Sequence, residues 1–405
     1  MLSNAMQTRC CVVGGGPAGM MMGFLLARAG VDVVVLEKHA DFLRDFRGDT
    51  IHPSTLELMH ELGMLSEFLK LPHQEVQKLG AQVGDEFVLA VDFSHLPTQC
   101  KFIVLMPQWD FLDFLAGQAG RYPAFQLRMR AEVIDLMEEA GRIVGVRAKT
   151  SDGPVEVRAD LIVGADGRHS IVREKTGLYV DELGAPMDVL WFRLSRHADD
   201  GEQTLGRITR GKMMVMLNRG DYWQCAYLIR KGDFERIRQA GLPSFLDNIV
   251  SVAPFLRDRT NELKSWDDIK LLTVQVDRLR KWHRPGLLLI GDAAHAMSPI
   301  GGVGINLAIQ DAVAAANILA APLAQGSVST ADLEQVQRRR ELPARRTQAV
   351  QVFIQNRLIQ RILGSDEQIP LPWPLKLLKR WPVLRRIPAR LIGLGVRPEH
   401  VRANS

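Results

Sequence analysis

The stretch RCCVVGGGPAGMMMGFLLARAGVDVVVLEK, residues 9–38, decides the fold. Its apolar runs and glycines predict a strand over residues 10–13, a helix over 17–29 and a second strand over 31–37. The first turn has the pattern G-x-G-x-x-G, with an acidic residue about twenty positions later; these residues are Gly14, Gly16, Gly19 and Glu37. A lone glycine pattern is weak evidence. Here the strand, the helix and the acidic residue are those of a dinucleotide-binding βαβ unit.

Each residue of this pattern has its own expected role. Gly14 permits the tight turn, Gly16 lets the backbone approach a pyrophosphate, and Gly19 allows the helix to pack closely on the sheet. The helix N-terminus faces the phosphate charge, while Glu37 accepts hydrogen bonds from ribose hydroxyls and repels a 2′-phosphate. The alternative is an α/β turn that binds no nucleotide.

Two further apolar strands also end in glycine and aspartate, in GADGRHSIVR at 164–173 and in LLLIGDAAHAMSPIGGVGIN at 287–306. A simple turn would explain Asp166-Gly167 on its own. Two such strand ends suggest a ligand that lies across the carboxyl edge of one sheet. The glycines before a predicted helix at 305–320 would expose N–H groups and the positive end of the helix dipole to that ligand.

The order of these patterns predicts an α/β fold: a Rossmann-like nucleotide-binding domain interrupted by an antiparallel-sheet substrate domain, with a C-terminal helical tail. The predicted nucleotide-binding segments are 6–75, 103–178 and 278–355. The substrate domain takes 76–102 and 179–277, and the tail takes 356–405. Residues 1–5 precede a second methionine, are expected to be vector-derived, and leave no room for a signal peptide before the first strand.

Composition favours a soluble globular protein of the cytoplasm. Hydrophobic residues make up 46% and charged residues 24% of the 405 residues, and no apolar run reaches the roughly 18 to 20 residues that span a bilayer. The spacing of the four cysteines fits neither zinc nor a disulfide framework, so buried thiols are expected. The net charge of +5 comes from the tail, because residues 376–405 hold eight Lys or Arg and one Glu. The rest of the chain therefore has no excess of basic residues, which argues against nucleic-acid binding.

The three motifs together resemble those of the single-component flavoprotein aromatic hydroxylases with the p-hydroxybenzoate hydroxylase fold. The glycine pattern is followed by Asp166-Gly167 with Ser170 and Arg173, and then by the Gly-Asp motif at Asp292 with its downstream glycines. The resemblance covers most of residues 6–350 and implies FAD as the cofactor. The FAD-binding residues that it implies are Gly14, Gly16, Pro17, Ala18, Gly19, Glu37, Lys38, Arg47, Gln108, Val133, Asp166, Gly167, Asp292, Pro299, Gly302, Gly304, Ile305 and Asn306.

The resemblance also implies individual roles. Asp166-Gly167 would lie near the pyrophosphate and help to hold Arg47, and would thus serve both FAD and the pyridine nucleotide. Asp292 would bind the ribityl chain, and the loop at 302–306 would present N–H groups to the pyrimidine edge of the flavin. Gln108 would touch the ribityl region, and the Val133 backbone would meet adenine. Many relatives carry Arg where this chain has Gln108-Trp109, and the thioredoxin-like extension of larger members is absent.

The implied activity is that of a monooxygenase. NADPH or NADH reduces FAD, O2 forms a flavin C4a-hydroperoxide, and one oxygen passes to a small aromatic or phenolic substrate. Because the flavin performs the chemistry, we expect no acid–base residue and no metal site, and we interpret His295 as a structural hydrogen bonder. The candidates for substrate contact are His52, Trp191, Arg193, Met214, Met216, Trp223 and Gln224. All of them except His52 belong to the predicted sheet, and at most half of these sheet residues should line the pocket.

Other functions stay open for this fold. A flavin-dependent halogenase would carry a Trp-x-Trp-x-Ile-Pro signature, which the sequence lacks. An isoprenoid-type reductase would bind FAD without oxygenating its substrate, and a non-enzymatic FAD-binding protein would show no ligand-stimulated flavin reduction.

The tail has a composition of its own. Its sequence, LPWPLKLLKRWPVLRRIPARLIGLGVRP at 371–398, alternates basic and apolar residues in short helical pieces that Pro382 and Pro388 are predicted to break. Such a stretch can lie on an anionic bilayer as a peripheral contact at the inner face of the membrane. The favoured interpretation is that its Leu, Trp and Ile pack onto the flavin domain while the bases face water.

Overall fold

The structure is a computed structural model that describes residues 4–43, 50–201, 205–365, 367 and 370–402. The strands in these residues are β1 Asn4–Val13, β2 Val33–Leu36, β3 Thr50–Ile51, β4 Gln74–Val76, β5 Lys78–Val83, β6 Glu86–Asp92, β7 Ile103–Leu105, β8 Phe125–Arg128, β9 Glu132–Glu139, β10 Arg142–Thr150, β11 Gly153–Gly164, β12 Val180–Glu182, β13 Met187–Ser195, β14 Leu205–Thr209, β15 Lys212–Asn218, β16 Tyr222–Arg230, β17 Lys270–Leu272, β18 Asp277–Leu279, β19 His283–Arg284 and β20 Leu287–Leu289.

The helices of the described residues are α1 Pro17–Arg28, α2 Pro53–Glu61, α3 Leu65–Phe68, α4 Gln108–Ala119, α5 Ile171–Thr176, α6 Phe234–Gln239, α7 Leu242–Val252, α8 Val303–Ala324, α9 Thr330–Ile354, α10 Gln360–Leu363, α11 Trp373–Arg380 and α12 Arg386–Gly393. A π-helical turn, Gln355–Ile359, joins α9 to α10, and short 3-10 turns occupy Gly291–Ala293, Ile300–Gly302 and Pro382–Arg385.

The larger sheet forms the core of the predicted nucleotide-binding segments. Its strand order is β19-β20-β11-β1-β2-β8, and β10 and β9 extend it from β11. The pairs β1–β11, β1–β2, β11–β20 and β2–β8 are parallel. All four residues of β2 are buried, as expected for a central parallel strand with both faces covered. Helix α1 packs against α8 and α4.

The first strand is longer than predicted. It begins at Asn4, ahead of the predicted start at residue 10, and its first residue pairs with Val155 of β11. The reason is that β11 is also long: it closes the predicted meander with β9 and β10 and continues as the parallel neighbour of β1. Residues 4 and 5, which we expected to be vector-derived, therefore form part of the sheet.

The second sheet has the strand order β17-β13-β16-β15-β14-β5-β6. Its pairs are antiparallel as expected, with one exception, the parallel pair β14–β5. These two strands come from distant parts of the chain, so no hairpin turn imposes an antiparallel direction on them. Smaller sheets join β3-β7-β4 and β12-β18.

The tail lies against the second sheet. Helices α11 and α12 contact β6, and Ala389 is buried there. Pro388 does not break the helix as predicted. It lies in the first turn of α12, where its missing N–H has no intrahelical acceptor in any case. The prediction that the Trp and Ile side chains pack is wrong for Trp373, Trp381 and Ile387, which are 72%, 58% and 67% exposed.

One helical stretch, Ile300–Ala324, is long and apolar enough to cross a membrane by length and composition. In this fold 67% of its most apolar window is buried inside the protein. The apolar character of α8 is therefore that of a core helix beneath the larger sheet.

Candidate functional site

The turn after β1 brings the first two motifs together. Gly14 has φ +104°, and a Cβ there would lie 2.5 Å from the backbone oxygen of Ala165, next to Asp166. A Cβ at Gly19 would lie 1.9 Å from the backbone oxygen of Gly14. Both positions therefore require glycine, Gly14 for backbone conformation and contact and Gly19 for close packing of helix on strand.

Gly16 differs from these two glycines. A Cβ at this position would meet nothing within 4 Å, so packing within the protein does not demand glycine. It is the N-cap residue of α1, with Pro17 in the first turn, and no described side chain caps the helix. The open space and the uncapped N–H groups suit an anionic group such as a pyrophosphate.

Hydrogen bonds from Gly15 and His39 hold Glu37 in place. Its Oε2 accepts from the Gly15 amide at 2.9 Å, and its Oε1 accepts from the His39 amide at 3.1 Å and lies 2.6 Å from His39 Nδ1. Burial by itself raises the pKa of Glu37, but the bonds from His39 and Gly15 outweigh it and lower the pKa below its ordinary value. The side chain is thus an ionised acceptor beside the glycine turn. His39 is not among the predicted site residues.

Asp166 stabilises its own turn. Its Oδ1 accepts from the Ser170 hydroxyl at 2.5 Å and its Oδ2 from the Val172 amide at 3.2 Å. Burial raises the pKa of Asp166 more than these bonds lower it. Gly167 follows with φ +84°. The predicted contact of this turn with Arg47 lies outside the described residues, because residues 44–49 are not among them.

An ion pair joins the second motif to the third. Arg168 Nη2 lies 3.3 Å from Asp292 Oδ2, and both side chains are half-buried. Arg173 fixes the same loop by donating to the Arg168 backbone oxygen at 2.7 Å. Arg168 Nη1 is buried with no hydrogen-bond partner among the described residues, which leaves a donor for a ligand. Arg168 was not predicted; its place directly after Asp166-Gly167 is the signal that could have found it.

Buried charges hold the turn at Gly291. Asp311 accepts from the Gly291 amide at 3.1 Å and lies 2.6 Å from His295 Nε2 and 2.9 Å from Arg340 Nε. Burial raises the pKa of Asp311, but His295 and Arg340 together lower it below its ordinary value. Arg340 in turn bonds Glu399, near the end of the chain. His295 is thus the structural hydrogen bonder that the sequence predicted.

The third motif ends in an uncapped helix start. Gly301 and Gly302 have φ +75° and +63°, and a Cβ at Gly302 would lie 2.2 Å from Thr50 Oγ1. Gly302 is the N-cap residue of α8, and among the described residues no side chain caps it. The first turn of α8 therefore offers N–H groups and positive dipole charge without a competing carboxylate.

Asn306 ties this loop to β3. Its Oδ1 accepts from the His52 amide at 2.9 Å and from Thr55 Oγ1 at 2.8 Å, and its Nδ2 donates to the backbone oxygens of Thr50 and Gly302 at 2.9 and 3.2 Å. The side-chain amide is thus fully used within the protein. Any contact of Asn306 with a cofactor must be made through its backbone.

His52 lies under this loop and is fully buried. Its Nδ1 lies 2.8 Å from the backbone oxygen of Ile392, so Nδ1 carries the proton, since a carbonyl oxygen only accepts. Burial lowers the pKa of His52 to about 4, and the ring is neutral near pH 7. Nε2 is then a bare acceptor, and it has no partner among the described residues.

The remaining predicted FAD residues lie on α4, on β9 and beside the three motifs. Gln108 opens α4 and is half-buried, Val133 is buried in β9, and Lys38 is exposed just after β2. Ala18 packs near Gly291. The others lie around the start of α8: Pro299, Gly304 and Ile305.

The substrate candidates that belong to the second sheet divide between its two faces. Met214, Met216 and Trp223 are buried in the hydrophobic cluster that contains Phe245 and Ile249 of α7. They pack on the helix side of the sheet, against α7, and their role as pocket residues stays a prediction. Trp223 also donates from Nε1 to Asp200 Oδ2 at 2.9 Å.

The opposite face carries the other three candidates. Arg193 pairs with Gln224, and Trp191 pairs with Ala226, which pairs in turn with Val215. Directly paired residues share a face. Trp191, Met213 and Val215 belong to one hydrophobic cluster with Ile300 of the glycine loop. This face is therefore directed towards the third motif. Met213 and Val215 lie on it, whereas the neighbouring Met214 and Met216 point to the opposite face.

One group of side chains has ligand atoms close enough for a metal ion. His197, Asp199 and Asp200 bring such atoms within 4.8 Å of one another, and no other group of three does so within the described part of the chain. Arg259 occupies both carboxylate oxygens of Asp200, at 2.5 and 3.0 Å. The cluster is an ion pair at a surface turn.

Known proteins match the whole length of this chain. Residues 7–351 match the FAD binding domain family. The 6-methylpretetramide 4-monooxygenase of Streptomyces rimosus is 31% identical over 404 residues, which cover 99% of this chain and 96% of that protein. The p-nitrophenol 4-monooxygenase of Pseudomonas putida DLL-E4 superposes with a TM-score of 0.76 at 19% identity, over 95% of this chain and 97% of that one.

A halogenase shares the fold as well. The myxobacterial chondrochloren halogenase superposes with a TM-score of 0.75 at 20% identity, over 95% of this chain and 90% of that one. At these identities the superpositions show the fold alone. The sequence relative at 31% identity, which aligns over nearly its full length, carries more weight for function.

Proposed function

This chain belongs to the FAD-dependent monooxygenases of the FAD binding domain family, and we propose that it hydroxylates an aromatic or phenolic small molecule with NADPH or NADH and O2. The observation that carries the proposal is the meeting of three glycine-centred motifs at one edge of the parallel sheet, with Gly14 against Ala165 and Arg168 paired to Asp292. The match to a monooxygenase along the whole chain supports the reaction class.

The residues present fit FAD. Gly16 and the N-terminus of α1 would receive the pyrophosphate, because the space there is open and the N–H groups are uncapped. Glu37 would accept from the adenosine ribose. The adenine would lie by the Val133 backbone, close to exposed Lys38. These assignments keep the roles that the family resemblance implies.

The flavin end of the cofactor would lie between Asp292 and the start of α8. Asp292, with Arg168 beside it, would bind the ribityl chain, and Gln108 would approach the same region. Amides from Gly302 to Ile305 would face the flavin ring, where the helix dipole favours negative charge. When bound, FAD supplies the redox chemistry with NAD(P)H and O2. The Arg47 role in reduction by the pyridine nucleotide is part of the proposal.

The protein's own contribution is to position the substrate and to exclude water. Neutral His52 would accept a hydrogen bond from a substrate hydroxyl at Nε2, because its other nitrogen is committed to Ile392. Trp191, Arg193 and Gln224 would form a wall of the pocket on the sheet. A phenolic substrate satisfies the unpartnered acceptor, whereas a hydrocarbon would leave it buried and unpaired. The relative's activity on 6-methylpretetramide supports a cyclic substrate of this class.

Localisation in the cytoplasm is also part of the proposal. All four cysteines are buried free thiols, and burial raises the pKa of Cys11 to about 12. Thiols of this kind persist in a reducing compartment.

The test is a panel of phenols and quinone precursors. The expected result is that one class stimulates NAD(P)H consumption and O2 uptake together and yields a product that carries one atom from 18O2. Stimulated NAD(P)H oxidation without O2 uptake would indicate a reductase. A halogenated product that forms only with added bromide or chloride would indicate a halogenase. If no ligand accelerates flavin reduction, a non-enzymatic FAD-binding role replaces the proposal.

A further inference from the structure

The C-terminal tail presents a row of large apolar side chains to solvent. They lie on the outer side of α11, the following 3-10 turn and α12, and their exposed fractions are 72%, 41%, 58%, 57% and 67% for Trp373, Leu377, Trp381, Val383 and Ile387. We call these five residues the tail surface. A soluble protein has scattered exposed apolar residues, but five large ones within fifteen positions are a concentration that indicates a binding surface.

Positive charge surrounds the tail surface. The bases at 373–390 are Lys376, Lys379, Arg380, Arg385, Arg386 and Arg390, and residues 368–398 contain no acidic residue. Lys379 pairs with Glu86, and Arg385 donates to the Leu378 backbone oxygen at 3.1 Å. The other four bases are exposed. The patch therefore combines aromatic and aliphatic side chains with uncompensated positive charge.

The tail surface is the fixed outer side of an anchored segment. On the inner side, Leu371 and Ala389 are buried, and a Cβ at Gly393 would lie 2.7 Å from Leu96 Cδ1. The His52–Ile392 hydrogen bond adds a further attachment. Because the inner side already supplies the packing of the tail, the outward Trp and Ile are available to a partner.

We infer that the tail surface docks on an anionic phospholipid bilayer. Tryptophan side chains favour the headgroup level of a membrane, aliphatic side chains reach the acyl boundary, and lysine and arginine bind acidic headgroups. This is the combination that the tail surface offers, in helices that lie along the protein surface and do not project from it.

The same features disfavour other occupants. A second copy of this chain, docked through the same patch by two-fold symmetry, would bring the basic residues of both copies together with no acidic residue to pair them. A nucleic acid would use the positive charge but would leave Val383 and Ile387 without an apolar partner.

The test is co-sedimentation of the FAD-loaded full chain with vesicles. At low ionic strength we expect binding to vesicles of 70% phosphatidylcholine and 30% phosphatidylglycerol at least tenfold stronger than to pure phosphatidylcholine vesicles, with most of the difference lost in 0.5 M NaCl. Lipids brominated along the acyl chain should quench tryptophan fluorescence, and Trp381→Phe together with Trp373→Phe should reduce that quenching.

Matched variants separate the tail from general surface charge. Trp381→Ser with Arg380→Glu should weaken vesicle binding at least tenfold while FAD absorbance and thermal unfolding stay unchanged. Phe353→Ser with Arg210→Glu likewise replaces one exposed aromatic residue by Ser and one exposed Arg by Glu, but outside the tail. This control variant should bind vesicles as the wild type does.

Several results would overturn the inference. These are absence of sedimentation at low ionic strength, equal loss of binding in both double variants, concentration-dependent dimerisation that the tail variant abolishes, and binding to a DNA duplex or an acidic protein but not to vesicles. The measurement needs no turnover, so its failure would leave the proposed function untouched.

Discussion

His52 Nδ1 donates a hydrogen bond to the backbone oxygen of Ile392 over 2.8 Å, across 340 positions of the sequence. The bond joins the start of α2 to the last helix of the chain. It also fixes the tautomer of the histidine, so that Nε2 is an acceptor without a partner among the described residues. One side chain thus attaches the tail and, in the proposed function, would offer an acceptor to the substrate.

The two roles of His52 can be separated by substitution. In His52→Asn the side-chain amide can replace Nδ1 as donor to Ile392, but nothing replaces Nε2. We expect unchanged FAD content and tail attachment, with KM for a phenolic substrate raised about two- to tenfold, which corresponds to about 0.5 to 1.5 kcal/mol for one neutral hydrogen bond. Steady-state kinetics with the substrate and its methyl ether measures this. A variant with wild-type KM for the phenol would exclude the substrate contact.

Stability should depend on pH through the same residue. Burial lowers the pKa of His52 to about 4 from an ordinary 6.5. Between these values the unfolded chain binds a proton that the folded chain does not, so the free energy of unfolding rises with pH in that window and falls on acidification. The full effect is about 3 kcal/mol at about 1.4 kcal/mol per pKa unit. Urea denaturation at pH 4.5, 5.5 and 7 should show a shallower slope for His52→Asn, and equal slopes would contradict the assignment.

Substitutions of Gly16 and Gly19 in the first motif should affect different properties, FAD affinity in one case and protein stability in the other. Gly16→Ala meets no atom within 4 Å, so the apo-protein should unfold at the wild-type temperature while FAD affinity falls. Gly19→Ala places a Cβ 1.9 Å from the Gly14 oxygen and should destabilise even the apo-protein. Thermal unfolding of deflavinated protein and FAD titration distinguish the two. Loss of apo-stability in Gly16→Ala would show a packing role instead.

Asp292 should contribute mainly to cofactor affinity. Asp292→Ala would remove the proposed charged acceptor of a ribityl hydroxyl, a loss of about 1.5 to 3 kcal/mol, so FAD affinity should fall about tenfold or more while the protein still folds. Arg168→Met provides the comparison, because it leaves the carboxylate in place without its ion pair. Unchanged flavin occupancy in Asp292→Ala would show that Asp292 serves only as the ion-pair partner of Arg168.

The end of the chain should matter for stability. Glu399 is buried and bonds Arg340 and Arg339, and removing one partner from a buried ion pair costs about 3 to 5 kcal/mol. Glu399→Ala should therefore lower the unfolding temperature markedly, whereas Arg402→Ala, at an exposed position, should not. Similar unfolding temperatures for the two variants would show that Asp311 alone satisfies Arg340.

The motifs could be predicted from the sequence because their requirements are local. Gly14 needs a positive φ and Gly16 an open turn, and the neighbouring residues already indicate both. Arg168 and His39 could not be found in this way, because their partners are set by tertiary contacts. The sheet candidates show a further limit. Alternation along β15 separates Met213 and Val215 from Met214 and Met216, but which set meets α7 is decided by packing outside the strand.

The interleaving of segments in the larger sheet has a consequence for synthesis. Strand β11 lies between β1 and β20 in the sheet. β1 stands at the beginning of the sequence, whereas β20 follows only at Leu287–Leu289. At about 5 to 20 residues per second, a ribosome needs roughly 6 to 25 seconds to pass from the end of β11 to β20. During that interval the nascent chain exposes the edge of β11 that β20 will cover. We expect yield to depend on chaperone supply and on translation speed through residues 165–286 more strongly than on the stability of the finished protein.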